Sequence, residues 1–102
     1  MFELHILIPT TDNAGNAFAA EDHAAFEGFV IDRFGGITLY PSHAVGAWID
    51  AGTMYRDSTR IYGIAVKSIV DGAKIAEVVA FAKAHYGQLA IFIRYLGIAE
   101  IL

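Results

Sequence analysis

Imidazole changes charge near neutral pH, so the four histidines of this chain (His5, His23, His43 and His85) are the first residues to test for chemistry. No two stand as His-x-His or His-x-x-x-His, the spacings that put two imidazoles on one face of a strand or a helix. Glu21, Asp22 and His23 are consecutive, so on a helix they point in three directions. No metal centre is expected from this spread, which suits hydrogen-bonded or surface histidines. His5 stands apart. In Phe2-Glu3-Leu4-His5-Ile6-Leu7-Ile8 it shares one side of an alternating strand with Glu3 and Leu7, while Phe2, Leu4, Ile6 and Ile8 form an apolar side. There is no cysteine, hence no thiol chemistry or disulfide framework. Gly-x-Gly-x-x-Gly, Gly-Lys-Ser/Thr and Gly-x-Ser-x-Gly are absent, and Ser42, Ser58 and Ser68 have no evident base. No cofactor is implied.

The elements that would position His5 come in two similar halves, each a strand, a helix with an aromatic-Gly stop, and a strand. The first helix is expected over about 19–34, with Phe26, Phe29, Val30 and Phe34 as its apolar stripe and Glu21 and Asp22 in its first turn. Gly35-Gly36 stops it. Two long strands follow, about 37–49 and 53–67, joined by Asp50-Ala51-Gly52 as a hairpin loop. Their length predicts an arm that projects beyond the body, with Pro41 at a bend or bulge where it leaves. Asp71 is placed to cap the second helix, with Val70 and Ile75 stapled across the cap. Ile75, Val78, Val79, Ala82 and Tyr86 keep helical spacing to Gly87. A last strand is expected over 89–96, then the apolar tail Ile98-Ala99-Glu100-Ile101-Leu102.

This order predicts one α+β domain over 1–102, a ferredoxin-like βαββαβ sandwich whose four-stranded antiparallel sheet carries both helices on one face. Strand parity turns Glu3, His5 and Leu7, Ile61, Gly63 and Ala65, Ala90, Phe92, Arg94 and Leu96, with Thr38 and Tyr40, to the open face. That face is largely apolar with a small-residue centre at Gly63 and Ala65. His5, Tyr40, Phe92 and Arg94 are the candidate ligand lining, since a neutral imidazole and a guanidinium suit a polar or anionic small ligand. The competing expectation is that these groups satisfy one another inside a subunit interface.

Composition supports such an interface. Hydrophobic residues make up 56% of the 102 residues and mean hydropathy is +0.48, more apolar side chain than one small core can hide. No run approaches about 18 uninterrupted apolar residues, so no membrane span is expected. Without a targeting signal the cytoplasm is the expected compartment. A net charge of −4 argues against nucleic acid and anionic lipid as partners. Arg60 to Lys67 half-matches an RNA-recognition strand, but parity turns Tyr62 and Ile64 towards the helices and the flanking aromatics are missing. On the arm, Trp48, Met54, Tyr55 and Arg56 are residue types enriched at interface hot spots, and Ile101 in the tail joins them as a candidate subunit contact. Arg56, Asp57 and Arg60 are expected to form a local ion-pair cluster.

Phe34-Gly35-Gly36-x-Thr38, Gly46-x-Trp48, Tyr55-x-Asp57 and Tyr62 together resemble small bacterial proteins of the dimeric α+β barrel superfamily, over nearly the whole chain. The resemblance implies two sheets packed face to face into a barrel, hence a homodimer. The superfamily includes cofactor-independent monooxygenases, haem-dependent enzymes and many proteins of unknown role, and no catalytic set transfers residue by residue. Three functions follow as expectations. The leading one is a homodimeric small-ligand-binding domain. The second is a cofactor-independent monooxygenase-like or isomerase-like enzyme with a pocket on the open sheet face and His5 as proton acceptor or donor. The third is a structural or interaction module with a dry dimer interface.

Overall fold

Alternation in the first strand does what it predicts. In β1 (Phe2–Pro9) Leu4, Ile6 and Ile8 are buried, whereas Glu3, His5 and Leu7 are only partly covered. The computed structural model describes residues 1–67 and 71–98, without the side chains of Trp48 and Ile98. Helix α1 (Ala20–Phe34) begins where Asp22 Oδ2 accepts the Ala19 N–H at 3.0 Å. It ends at Gly35, whose φ of 80° is left-handed and whose N–H reaches Ile31 O at 2.8 Å. β2 (Thr38–Asp50), β3 (Thr53–Val66), α2 (Gly72–Tyr86) and β4 (Phe92–Ile98) complete the order.

The sheet runs β2-β3-β1-β4 and every pairing is antiparallel. Both helices lie on one face: Phe26, Val30, Val78, Ala82 and Tyr86 pack with Leu4, Ile6, Ile8, Tyr62, Ile64 and Val66 in one core. Burial of that apolar surface is the main driving force for the fold. Among the described residues no helix covers the other face of the sheet.

The arm forms as its strand lengths demand. Register shifts between Leu39 and His43, so three residues including Pro41 stand against Ile61, a bulge at the place expected for the bend. The loop is tighter than the three residues expected. Asp50 pairs with Thr53, leaving Ala51 (φ 50°) and Gly52 (φ 81°) as a two-residue turn with both residues left-handed, the twist that suits a hairpin. The radius of gyration is 14.0 Å, against about 12.8 Å for a compact chain of this length. Accessible surface is 6518 Å², above the roughly 5,600 Å² of a compact monomer.

Three further expectations shift. The last strand begins at Phe92 rather than at residue 89, because Gly87 (φ 63°) and the Gln88 N–H to Lys83 O bond extend the helix stop; Leu89 is left almost wholly exposed. Asp71 sits at the N-cap of α2 but does not cap it with its side chain; its Oδ2 accepts the Lys67 N–H at 3.0 Å instead. Arg60, expected in an ion-pair cluster with Arg56 and Asp57, pairs with Glu27 of α1 at 3.6 Å. Val70 and the tail residues 99–102, including Ile101, lie outside the described residues.

Candidate functional site

Period-two geometry brings Glu3 and His5 to the same side of β1, and the ladder pairs His5 with Gly63 of β3 on one flank and with Arg94 of β4 on the other. The bulge in β2 then lets Tyr40 lean across β3. Its ring lies 4.9 Å from the His5 ring, centroid to centroid, and its hydroxyl donates a short hydrogen bond to Glu3 Oε1. The same oxygen lies 3.2 Å from His5 Nε2. An ionised carboxylate can only accept, so His5 donates through Nε2.

Gly63 makes this convergence possible. A Cβ on Gly63 would strike Glu3 Oε1 and would stand 2.9 Å from the Tyr40 ring. The glycine is therefore the floor on which a carboxylate from β1 meets a phenol from β2. Hydrogen bonding to Glu3, with burial second, pushes the Tyr40 hydroxyl's pKa above the ordinary tyrosine value.

Of the four residues proposed from sequence as ligand lining, the structure brings His5 and Tyr40 into contact. Arg94 is His5's ladder partner, yet among the described residues no hydrogen bond or ion pair joins it to Glu3, His5 or Tyr40. Phe92 lies two residues along β4, pairs with Leu7 and is 61% exposed. Glu3, named from sequence only as a neighbour, is the hub. Its i, i+2 relation to His5 was the available signal. On the arm, Trp48 pairs with Tyr55, Ile49 with Met54 and Ala47 with Arg56 in the β2–β3 ladder; the Trp48 side chain lies outside the description.

A second polar group lies under the helices, where no sequence spacing announced it. Tyr62 Oη donates to Glu27 Oε2 at 2.6 Å and accepts from Arg60 at 3.1 Å. Burial, with the Glu27 bond second, pushes Tyr62 up to about 12. His23 Nδ1 and Tyr86 Oη are 2.9 Å apart, both buried. These are core residues with satisfied partners: no buried side-chain nitrogen or oxygen among the described residues lacks one. A shallow groove of 460 Å³ between α2 and β4, lined by Ile75, Val79, Ile93, Tyr95 and Lys83 among others, offers apolar wall without a convergent polar cluster. The polar cluster of Glu3, His5 and Tyr40 lies on the open sheet face. Among the described residues no three His, Cys, Asp or Glu converge to hold a metal, and no helix is long and apolar enough to cross a membrane.

No protein-family model matches the chain, and no curated protein matches it. Solved structures do. A phage SAM lyase in complex with S-methyl-5′-thioadenosine matches with a TM-score of 0.70 at 13% identity, over 93% of this chain and 79% of that one. The divalent cation tolerance protein CutA1 from Thermus thermophilus matches with a TM-score of 0.62 at 14% identity, over 99% and 86% of the two chains. The periplasmic divalent cation tolerance protein CutA from Archaeoglobus fulgidus gives the same TM-score and coverage at 16% identity. At such identities the likeness is one of fold. It shows a ferredoxin-like α+β fold of the CutA kind.

Proposed function

We propose that this chain is a small-ligand-binding domain that works as a self-associated unit, with the ligand seated on the open sheet face against Glu3, His5 and Tyr40. The observation that carries the reading is the convergence of those three side chains over Gly63, beside the half-covered apolar residues Leu7, Ile61 and Leu96 of the same face. Pockets for small molecules combine apolar walls with a few converging polar groups in this way. The phage lyase, which shares the fold, binds a small thioether nucleoside, and that supports a small molecule as the occupant. The "divalent cation" in the other neighbours' names finds no matching ligand set among the described residues.

Self-association follows from what the monomer leaves uncovered. Its surface exceeds that of a compact chain by about 900 Å², close to one partner's share of a standard interface. Val45, Ile49, Met54, Tyr55 and Phe92 are all exposed. A homodimer burying the sheet face, with Trp48, Met54, Tyr55, Arg56 and Ile101 contributing contacts, is the simplest arrangement that would cover both. A second reading on the same face is an enzyme in which His5 accepts or donates a proton; the phage neighbour's name, a lyase, favours it over a dry interaction module.

Native mass spectrometry of the protein purified without added ligand tests the proposal. A multimer carrying a stoichiometric extra mass, lost in Glu3→Gln, is the expected result. A monomer without extra mass would overturn both halves of it.

A further inference from the structure

The hydrogen bonds already made at the site limit what can bind there. Tyr40 gives its only proton to Glu3 Oε1, so its oxygen has only lone pairs to offer. His5 gives its Nε2–H to the same oxygen, which leaves Nδ1 as an acceptor in the neutral ring. Glu3 Oε2 takes neither bond, and it too can only accept. Acceptors from two strands therefore gather at one spot, and none of the three side chains has a proton left to give. Gly63 permits the arrangement, because any side chain there would push Glu3 off its two donors. Arg94 lies across the ladder from His5 and carries the opposite charge to Glu3, so net charge at the face favours neither an anion nor a cation.

We infer that the site takes an uncharged, donor-bearing small molecule, one that brings hydroxyl or amino hydrogens to Glu3, His5 and Tyr40. This rests on the ligand-binding reading above and narrows the polar or anionic ligand that His5 and Arg94 suggest from sequence to an uncharged one. At this spot an anion would meet a carboxylate and two further lone pairs, with no N–H or O–H of Glu3, His5 or Tyr40 left to compensate. A vicinal diol with a nearby amine would satisfy all three.

Two measurements test the inference on the whole chain. Long-range proton–nitrogen NMR of the His5 ring at alkaline pH should find the proton on Nε2; a proton on Nδ1 would overturn the hydrogen-bond assignment without any ligand. The ring signals of His5 and Tyr40 are then followed against three probes: S-methyl-5′-thioadenosine, which is neutral and carries a ribose diol and an amine; adenosine with the diol blocked as its 2′,3′-isopropylidene ketal; and inorganic phosphate. The expected result is that the first probe shifts both rings, the blocked nucleoside binds at least about tenfold more weakly, and Glu3→Gln weakens the first probe by a similar factor, the worth of one charge-assisted hydrogen bond. Shifts with phosphate but not with the diol would overturn the inference and leave a ligand site standing. Shifts with none of the three would overturn the ligand-binding reading itself.

Discussion

His23 of α1 and Tyr86 of α2 meet ring to ring beneath the sheet, Nδ1 to Oη at 2.9 Å, with Phe18 edge-on to both. The contact ties the start of one helix to the end of the other. It also buries an imidazole, only 4% exposed, and burial is the main reason its pKa falls below the ordinary histidine value; the Arg60 charge adds to it.

Acid should therefore loosen the fold through His23. Its folded pKa lies below its unfolded one, so the unfolded chain takes up the proton first. The stability it contributes is complete above the unfolded value and is lost as pH falls through the folded one. Urea midpoints measured from neutral to mildly acidic pH should decline, and His23→Gln should flatten that decline. Equal slopes in both proteins would remove His23 as the cause.

Tyr62 and Glu27 link sheet to helix by a charge-assisted bond that Arg60 completes. Tyr62→Phe removes the hydroxyl and leaves Glu27 to Arg60 alone. A loss of about 1–3 kcal/mol in urea unfolding is expected, with the Glu27→Gln and Tyr62→Phe effects coupled rather than additive. Additive losses would mean that the bond does not form.

Tyrosine ionisation reports the ligand site separately from the core. Tyr62 should titrate at about 12 and Tyr86 later still, both held protonated first by burial. Tyr40 is raised mainly by its bond to Glu3. Glu3→Gln removes the carboxylate and should bring Tyr40 down towards the ordinary tyrosine value while Tyr62 and Tyr86 stay put. Gly63→Ala should do the same by expelling Glu3 from beneath Tyr40. Fluorotyrosine NMR separates the five tyrosines; an unmoved Tyr40 in both variants would show that Glu3 does not hold it.

Parity explains why half of this site can be read from the chain. Glu3 and His5 are two apart on an alternating strand, and Gly63 and Tyr40 fall on the same face once the fold is accepted. The same parity places Arg94, which does reach the ladder position opposite His5, but parity fixes a face and not a reach. Tyr40's lean depends on the bulge beside Pro41, where the extra residues in β2 decide its direction. The bonds among Glu27, Arg60, Tyr62, His23 and Tyr86 are illegible for another reason: they exist only after α1 and α2 have settled on the sheet at one particular offset. The proposed homodimer, with the contact proposed for Ile101, would depend on surfaces of two copies together, to which the alternation within one chain gives no register.

The hairpin turn offers a stabilising change. Ala51 holds a φ of 50°, a region that costs a residue with a Cβ about 1–2 kcal/mol, while Gly52 occupies its φ of 81° freely. Ala51→Asn should slow amide exchange near the tip, and Gly52→Ala should speed it. No change in either would mean that packing on the arm, not the turn, sets its order.

Val45, Ile49 and Met54 should govern assembly. Ile49 and Met54 are ladder partners, Val45 lies further back along β2 on the same side as Ile49, and the three are 76%, 67% and 55% exposed in the order Val45, Ile49, Met54. A ribbon that leaves such a stripe in water invites a second copy, because each of these side chains gains about 1.5–3 kcal/mol by full burial. Ile49→Lys with Met54→Lys keeps the strand pairing and swaps the stripe for charge. Sedimentation velocity should show the native chain as a multimer and this double variant as a smaller species with an unchanged His23–Tyr86 core. A native chain that sediments as a monomer would refute assembly outright. A multimer untouched by the double change would mean that the sheet face alone, without the arm, holds the copies together.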